Sequence, residues 1–144
     1  MPVKTFDFDQ RASGSTYLKS LETWSYQFPD SSSWLWVIHG IRLTFSNGEA
    51  FSAGYTDDKP MKKLSLNGDE RIRELAIYSD QELDVVNSIY IYARDGPDGQ
   101  INAGGETGGT KQATNLGDRT LLGFQGRHIP GESLHELKPI FRGA

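Results

Sequence analysis

Short runs of apolar and branched residues, broken at close intervals by glycine, organise this chain. Ile41–Phe45 (IRLTF), Ile72–Tyr78 (IRELAIY), Ile89–Tyr92 (IYIY) and Leu121–Phe124 (LLGF) are separated by turn-forming stretches such as SNGE, LNGD, RDGPDGQ and FQGR. Such punctuation predicts strands joined by tight connections. In DERIRELAIYSD, Ile72, Leu75 and Ala76 sit at helical offsets, yet the segment also alternates with period two. Its branched and aromatic neighbours favour the strand. No window combines a helical apolar stripe with a cap and a stop, so the expected fold class is all-β.

Three segments repeat one pattern: VIHGIRLTFSNG from Val37, VVNSIYIYARDG from Val85 and SLHELKPIF from Ser133. Each places an apolar residue (Ile38, Val86, Leu134) before a polar one (His39, Asn87, His135) and another apolar residue two places on (Ile41, Ile89, Leu137). The interval is 48 residues, one third of the 144. GEAFSAG, ending at Gly54, and GQINAGG, around Gly104, extend the first two copies. A repeat of this size buries too little surface alone, so three are expected to share one core about a pseudo-threefold axis. The third copy has only its first strand at the C-terminal end. The N-terminal segment is therefore expected to complete it, drawing both chain ends into one sheet.

Composition narrows the chemistry. With 36% hydrophobic and 24% charged residues the chain reads as one globular domain over residues 1–144. Zero cysteines exclude thiol nucleophiles, Cys-ligated zinc and disulfides. A net charge of −4 argues against nucleic acid as a partner. MPVKTFDFDQ has no apolar run and so no visible signal peptide, which leads us to expect a cytoplasmic protein or one secreted by an unconventional route. His39, His128 and His135 have no metal-ligand spacing, and no metal or cofactor is expected. Asp69, Glu70 and Glu74 read as an exposed strand face rather than a glycosidase pair. GGETGGTK lacks the spacing and following helix of a phosphate loop. No catalytic activity is expected.

The blocks GIRLTFSNGEAFSAG, SLNGDERIRELAIY, VNSIYIYARDG, NAGGETGGT, LLGFQGR and SLHELKPIF, in this order and spacing, resemble the jacalin-related lectins over roughly residues 34–144. The resemblance implies a β-prism of three four-stranded Greek-key sheets and sugar binding at one end of it. Mono- or oligosaccharides of mannose or galactose type would be the partners, and a homo-oligomer is possible. The first 33 residues fit less well, because the family's opening glycine pair is missing.

Carried over by position, the family's Asp-x-x-Asp turn falls on Asp84, Val85, Val86 and Asn87, with Gly104 and Gly105 as its facing glycine loop. Asn87 in place of an acid would weaken that site. A second candidate site comprises Gly14, Gly131, Glu132, Ser133 and His135, with His135 where the family has an essential Asp; a structural histidine is the competing reading. The third apex has His39 and Gly54, where the family's mode of recognition is expected to be lost. Trp34 and Trp36 there belong either to the core, the default, or to an aromatic contact surface. The alternative to a lectin is a β-prism that has lost sugar binding and contacts protein or membrane, as in pore-forming proteins.

Overall fold

The computed structural model describes residues 4–30, 33–105 and 109–144. Eleven strands occupy them: β1 (Phe6–Arg11), β2 (Leu18–Asp30), β3 (Ser33–Phe45), β4 (Ala50–Gly54), β5 (Lys62–Ser65), β6 (Glu74–Asp80), β7 (Val85–Tyr92), β8 (Gln100–Gly104), β9 (Thr110–Lys111), β10 (Leu121–Ile129) and β11 (Ser133–Phe141). One 3-10 turn, Pro97–Gly99, is the only helical element among the described residues.

All pairings are antiparallel. The first sheet runs β5-β2-β3-β4 and the second β9-β6-β7-β8, each with its fourth strand returning beside its first as a Greek key. A single pair, Ile38 with Val86, links the two. The third sheet runs β1-β10-β11. Its first, second and fourth strands are thus present, the fourth supplied by the N-terminus, as the repeat requires. The expectation of four strands in every sheet needs correcting here: among the described residues the third sheet has three.

The repeated apolar positions converge. Ile38, Val86 and Leu134 are at most 2% exposed, and Ile41, Ile89 and Leu137 are 0% exposed. These six come from β3, β7 and β11, the second strand of each sheet, and form the middle of one continuous core. Trp24 joins the buried set at 2% exposure, its indole N–H donating to the Asp58 carbonyl at 2.7 Å. Trp36 does not, being 40% exposed, which corrects the default placement of that residue in the core. The side chain of Trp34 lies outside what the structure describes.

At one end of the prism, the apex, lie the β6–β7 and β10–β11 turns and the ends of β4 and β8. Two glycines fix its backbone. Gly54 and Gly104 adopt φ of +73° and +87°, and a Cβ would come within 2.2 Å of the His39 carbonyl oxygen and 2.1 Å of the Asn87 carbonyl oxygen. The same two oxygens accept the N–H groups of Tyr55, at 2.8 Å, and Gly105, at 3.0 Å. Repeat positions 39 and 87 therefore play one backbone role in two sheets.

Candidate functional site

The β6–β7 turn is shaped by Asp80, whose Oδ1 accepts the N–H groups of Glu82 and Leu83 at 3.0 and 3.1 Å. This Asx turn reverses the chain and delivers Asp84 at φ 54°, a left-handed conformation that Asp tolerates better than most residues. So held, the Asp84 side chain leaves its own sheet and reaches the third one. Arg127, on β10, donates from Nη2 to Asp84 Oδ1 at 2.7 Å. The pairing with Asp84, and secondarily with Glu136 across the strand, holds the guanidinium pKa above its ordinary value despite partial burial.

His135 completes the cluster. Its Nδ1 lies 2.8 Å from the Asp84 carbonyl oxygen and 3.3 Å from Oδ2. A carbonyl only accepts, so Nδ1 carries the proton, and in the neutral ring Nε2 accepts from the Ser133 hydroxyl at 2.7 Å. Asp84 keeps 47% of its side-chain surface exposed, against 18% for His135. The cluster opens into a polar groove of about 1190 Å³, running between the 79–84 turn with residues 109–115 on one side and β10–β11 on the other.

The residues expected in the first site are divided by this arrangement. Asp84 lines the groove, whereas Val85 and Val86 are core residues. Asn87 is 0% exposed, and its side-chain amide has no hydrogen-bond partner among the described residues. It lies beneath Gly109, where a Cβ would come within 2.2 Å of Asn87 Oδ1. Gly104 and Gly105 cover the Asn87 carbonyl, and neither lines the groove that Asp84 faces.

The second site is also divided. Ser133 and His135 belong to the cluster just described. Gly131, at φ +77°, donates its N–H to the Gly54 carbonyl at 3.1 Å, and Glu132 is exposed beside it. Gly14 is elsewhere. β1 pairs with β10 from Phe6 opposite His128 to Arg11 opposite Gly123, so the chain leaves the apex before reaching Gly14, which sits at the other end. Its inclusion is corrected by that antiparallel register. Conversely, Arg127 and Glu136 were not singled out from the sequence. They face each other across β10 and β11, a relation that exists only once register is known.

The first apex is aromatic. The His39 ring stacks between Tyr26 at 4.6 Å and Tyr55 at 4.7 Å. Burial lowers the His39 pKa, with the Asp58 charge opposing in part. Below it, His128 Nδ1 accepts the Gly54 N–H at 2.9 Å. Burial, aided by the nearby His135, lowers the His128 pKa as well.

The fold that carries this site is shared with solved structures, lectins among them. The lamprey immune protein matches with a TM-score of 0.69 and 18% identity over 100% of this chain and 46% of that one. Calystegia sepium agglutinin matches at 0.61 and 14% identity, covering 100% and 91% of the two chains. Calsepa lectin in complex with bisected glycan matches at 0.59 and 17% identity, covering 99% and 91%. The chain thus spans about half the length of the lamprey protein and nearly all of the other two. No model of a protein family and no curated protein sequence matches it. At these identities the likeness establishes the fold: the chain is a β-prism with the jacalin-like lectin fold.

Proposed function

We infer that this domain binds carbohydrate without catalysis, through the polar groove at the apex. The observation that carries the reading is Asp84: a half-exposed carboxylate, fixed by Arg127 and by a left-handed backbone, on a scaffold shared with lectins. A pyranose presents vicinal hydroxyls that both donate and accept. Asp84 and Glu136 offer acceptors, Arg127 offers donors, and the charge-assisted bonds these can make are the stronger kind. The domain therefore acts as a lectin module for mannose- or galactose-type glycans. Shallow polar sites exchange water hydrogen bonds for sugar ones, so single-site affinity is weak and useful binding relies on avidity.

Asp84→Asn tests this reading, because Asn also accepts left-handed φ and the exposed ion pair contributes only about 0–1 kcal/mol to stability. Glycan-array signal should fall about tenfold or more while the melting temperature hardly moves. Undiminished glycan binding by the variant would place the sugar elsewhere, and no glycan retained by the wild type would overturn the lectin reading.

A second reading is favoured by one feature, the extended β2–β3 hairpin. β3 begins at Ser33, four residues earlier in the repeat than β7 at Val85; Trp36 on this extension is 40% exposed and Tyr26 at its base 36%. Aromatic residues of this kind suit a contact with protein or with a membrane interface.

A further inference from the structure

His135 owes its direction to a bulge. Arg127 pairs with Glu136 and His128 with Leu134, so β11 has one residue more than β10 at position 135. The sister strands bulge at the same place: Trp24 pairs with Gly40 and Ser25 with Ile38 around His39, and Tyr78 pairs with Ser88 and Ser79 with Val86 around Asn87. A bulge re-aims the side chain it carries. The residue two places earlier in the three copies is Val37, Val85 and Ser133. Both valines are buried, at 1% and 8% exposure. Only the third copy sets a hydroxyl beside the re-aimed side chain.

The atoms that meet there form a relay. Ser133 Oγ donates to His135 Nε2 at 2.7 Å, and the proton on His135 Nδ1 faces the Asp84 carbonyl at 2.8 Å and Oδ2 of the Asp84 carboxylate at 3.3 Å. A hydroxyl on one nitrogen of a neutral imidazole, with the other nitrogen oriented by an acid, is the arrangement that activates a serine as a nucleophile. The two carboxylate oxygens have separate partners, Oδ1 accepting from Arg127 and Oδ2 standing by the imidazole. Ser133 is half-buried, and Pro130, Gly131 and Glu132 just before it are exposed. No amide of that turn is free: Pro130 has no N–H, Gly131 donates to the Gly54 carbonyl at 3.1 Å and Glu132 to the Ile129 carbonyl at 3.0 Å. An oxyanion formed beside Ser133 would gain no hydrogen bond from it.

We propose that Ser133 is a nucleophilic acceptor site for an activated acyl ester, used once rather than turned over. Ser133 Oγ attacks the ester carbonyl carbon, and His135 Nε2 takes the hydroxyl proton. The Oγ–C bond forms, the bond from carbon to the leaving oxygen breaks, and Nε2 returns the proton to that oxygen. The Asp84 carboxylate, as a positioning residue, orients the ring and offsets its positive charge between the two transfers. With the turn amides committed, only esters with an acidic leaving group react. Attack of water on the acyl-serine meets the same lack of oxyanion donors, so the acyl group stays. This chemistry goes beyond sugar recognition and does not depend on it.

The probe is p-nitrophenyl acetate, with the acetylated positions mapped by tandem mass spectrometry. Acetyl groups should accumulate on Ser133 to one equivalent, about 100-fold faster than on the exposed Ser15. His135→Gln should slow acetylation of Ser133 about 100-fold, while acetylation of the surface lysines proceeds as in wild type. Asp84→Asn, which keeps the backbone carbonyl, should lower the limiting rate up to about fivefold and leave the half-saturating ester concentration unchanged, because the carboxylate acts on the ring and not on the ester. The proposal is overturned if Ser133 is acetylated no faster than Ser15, or if His135→Gln reacts as fast as wild type. Nitrophenol release well beyond one equivalent that disappears in Ser133→Ala would overturn the single use. Should His135→Gln fail to fold, the comparison of Ser133 with Ser15 in wild type decides alone. None of these readouts uses a glycan.

Discussion

Gly104 shows how little freedom the apex has. Its φ of +87° is costly for any residue with a Cβ, and the added carbon would stand 2.1 Å from the Asn87 carbonyl oxygen. Backbone cannot yield as a flexible side chain does, so Gly104→Ala should destabilise the domain by about 2–4 kcal/mol, read as a lower urea midpoint. Gly131→Ala should cost less, because its φ is also positive but nothing lies within 4 Å of the added carbon. The buried histidines give the residue scale a pH dependence. His128 uses Nδ1 to accept the Gly54 N–H, which only the neutral ring can do, and its folded pKa lies below the ordinary 6.5. The unfolded chain therefore takes up protons first as acid is added. Stability is complete above pH 6.5 and is lost as pH falls through the depressed folded pKa. Asp118, whose pKa is lowered to about 2 chiefly by Arg142, does not titrate in that window. Urea midpoints between pH 8 and 5 should fall for wild type and fall less for His128→Gln, whose amide still accepts from Gly54; His39, also lowered, accounts for the slope that persists. Positions 39, 87 and 135 were legible in the sequence as equivalent, because their apolar neighbours recur with them. Their different fates were not, since burial of Asn87 and exposure of the Asp84 carboxylate depend on contacts between segments far apart in the chain.

At the scale of elements, β3, β6, β7 and β10 followed from alternation and glycine punctuation and β11 from the repeat, whereas the long β2, the short β5 and β9 and the antiparallel register did not. That register explains both departures in the candidate site. It carries Gly14 away from the 130–132 turn, and it brings Arg127 opposite Glu136 and within reach of Asp84. Strand length was likewise hidden: nothing in the sequence fixed how far the β2–β3 hairpin extends past its sister. The extension, about 13 Å for four residues, is stabilised at its base by the Tyr26–His39–Tyr55 stack. Trp36, 40% exposed, adds contact area beyond that base and little to the core. Trp36→Ala should therefore change stability by no more than about 0.5 kcal/mol. If the hairpin is the contact surface of the second reading, the same variant should lose capture by liposomes in a flotation assay, with glycan-array binding unchanged. Loss of glycan binding instead would assign Trp36 to sugar stacking.

No sheet owns its interior, so the whole molecule should unfold as one cooperative unit. β3, β7 and β11 each present a central apolar stripe to the same core, and β1 closes the third sheet by pairing with a strand more than a hundred residues away in sequence. Phe8 on β1 is only 7% exposed and packs against Phe51 of the first sheet and His128 of the third, both at 5.3 Å between ring centres. Phe8→Ala should cost about 3–4 kcal/mol, the usual range for a large aromatic deleted from a core. Where that cost appears is the informative part. Tryptophan fluorescence, from Trp24, Trp34 and Trp36 on β2 and β3, reports on the first sheet, while far-UV circular dichroism reports on all strands. In a single cooperative unit both transitions coincide in wild type and move by the same amount in the variant. If the sheets unfolded independently, the tryptophan transition would stay put while the dichroism transition broadened or split. Pairing across so much sequence also makes closure slow, so refolding should proceed on the millisecond-to-second scale of β-rich, high-contact-order domains. Should β1 dock after the folding barrier is crossed, Phe8→Ala would speed unfolding and leave the refolding rate almost unchanged.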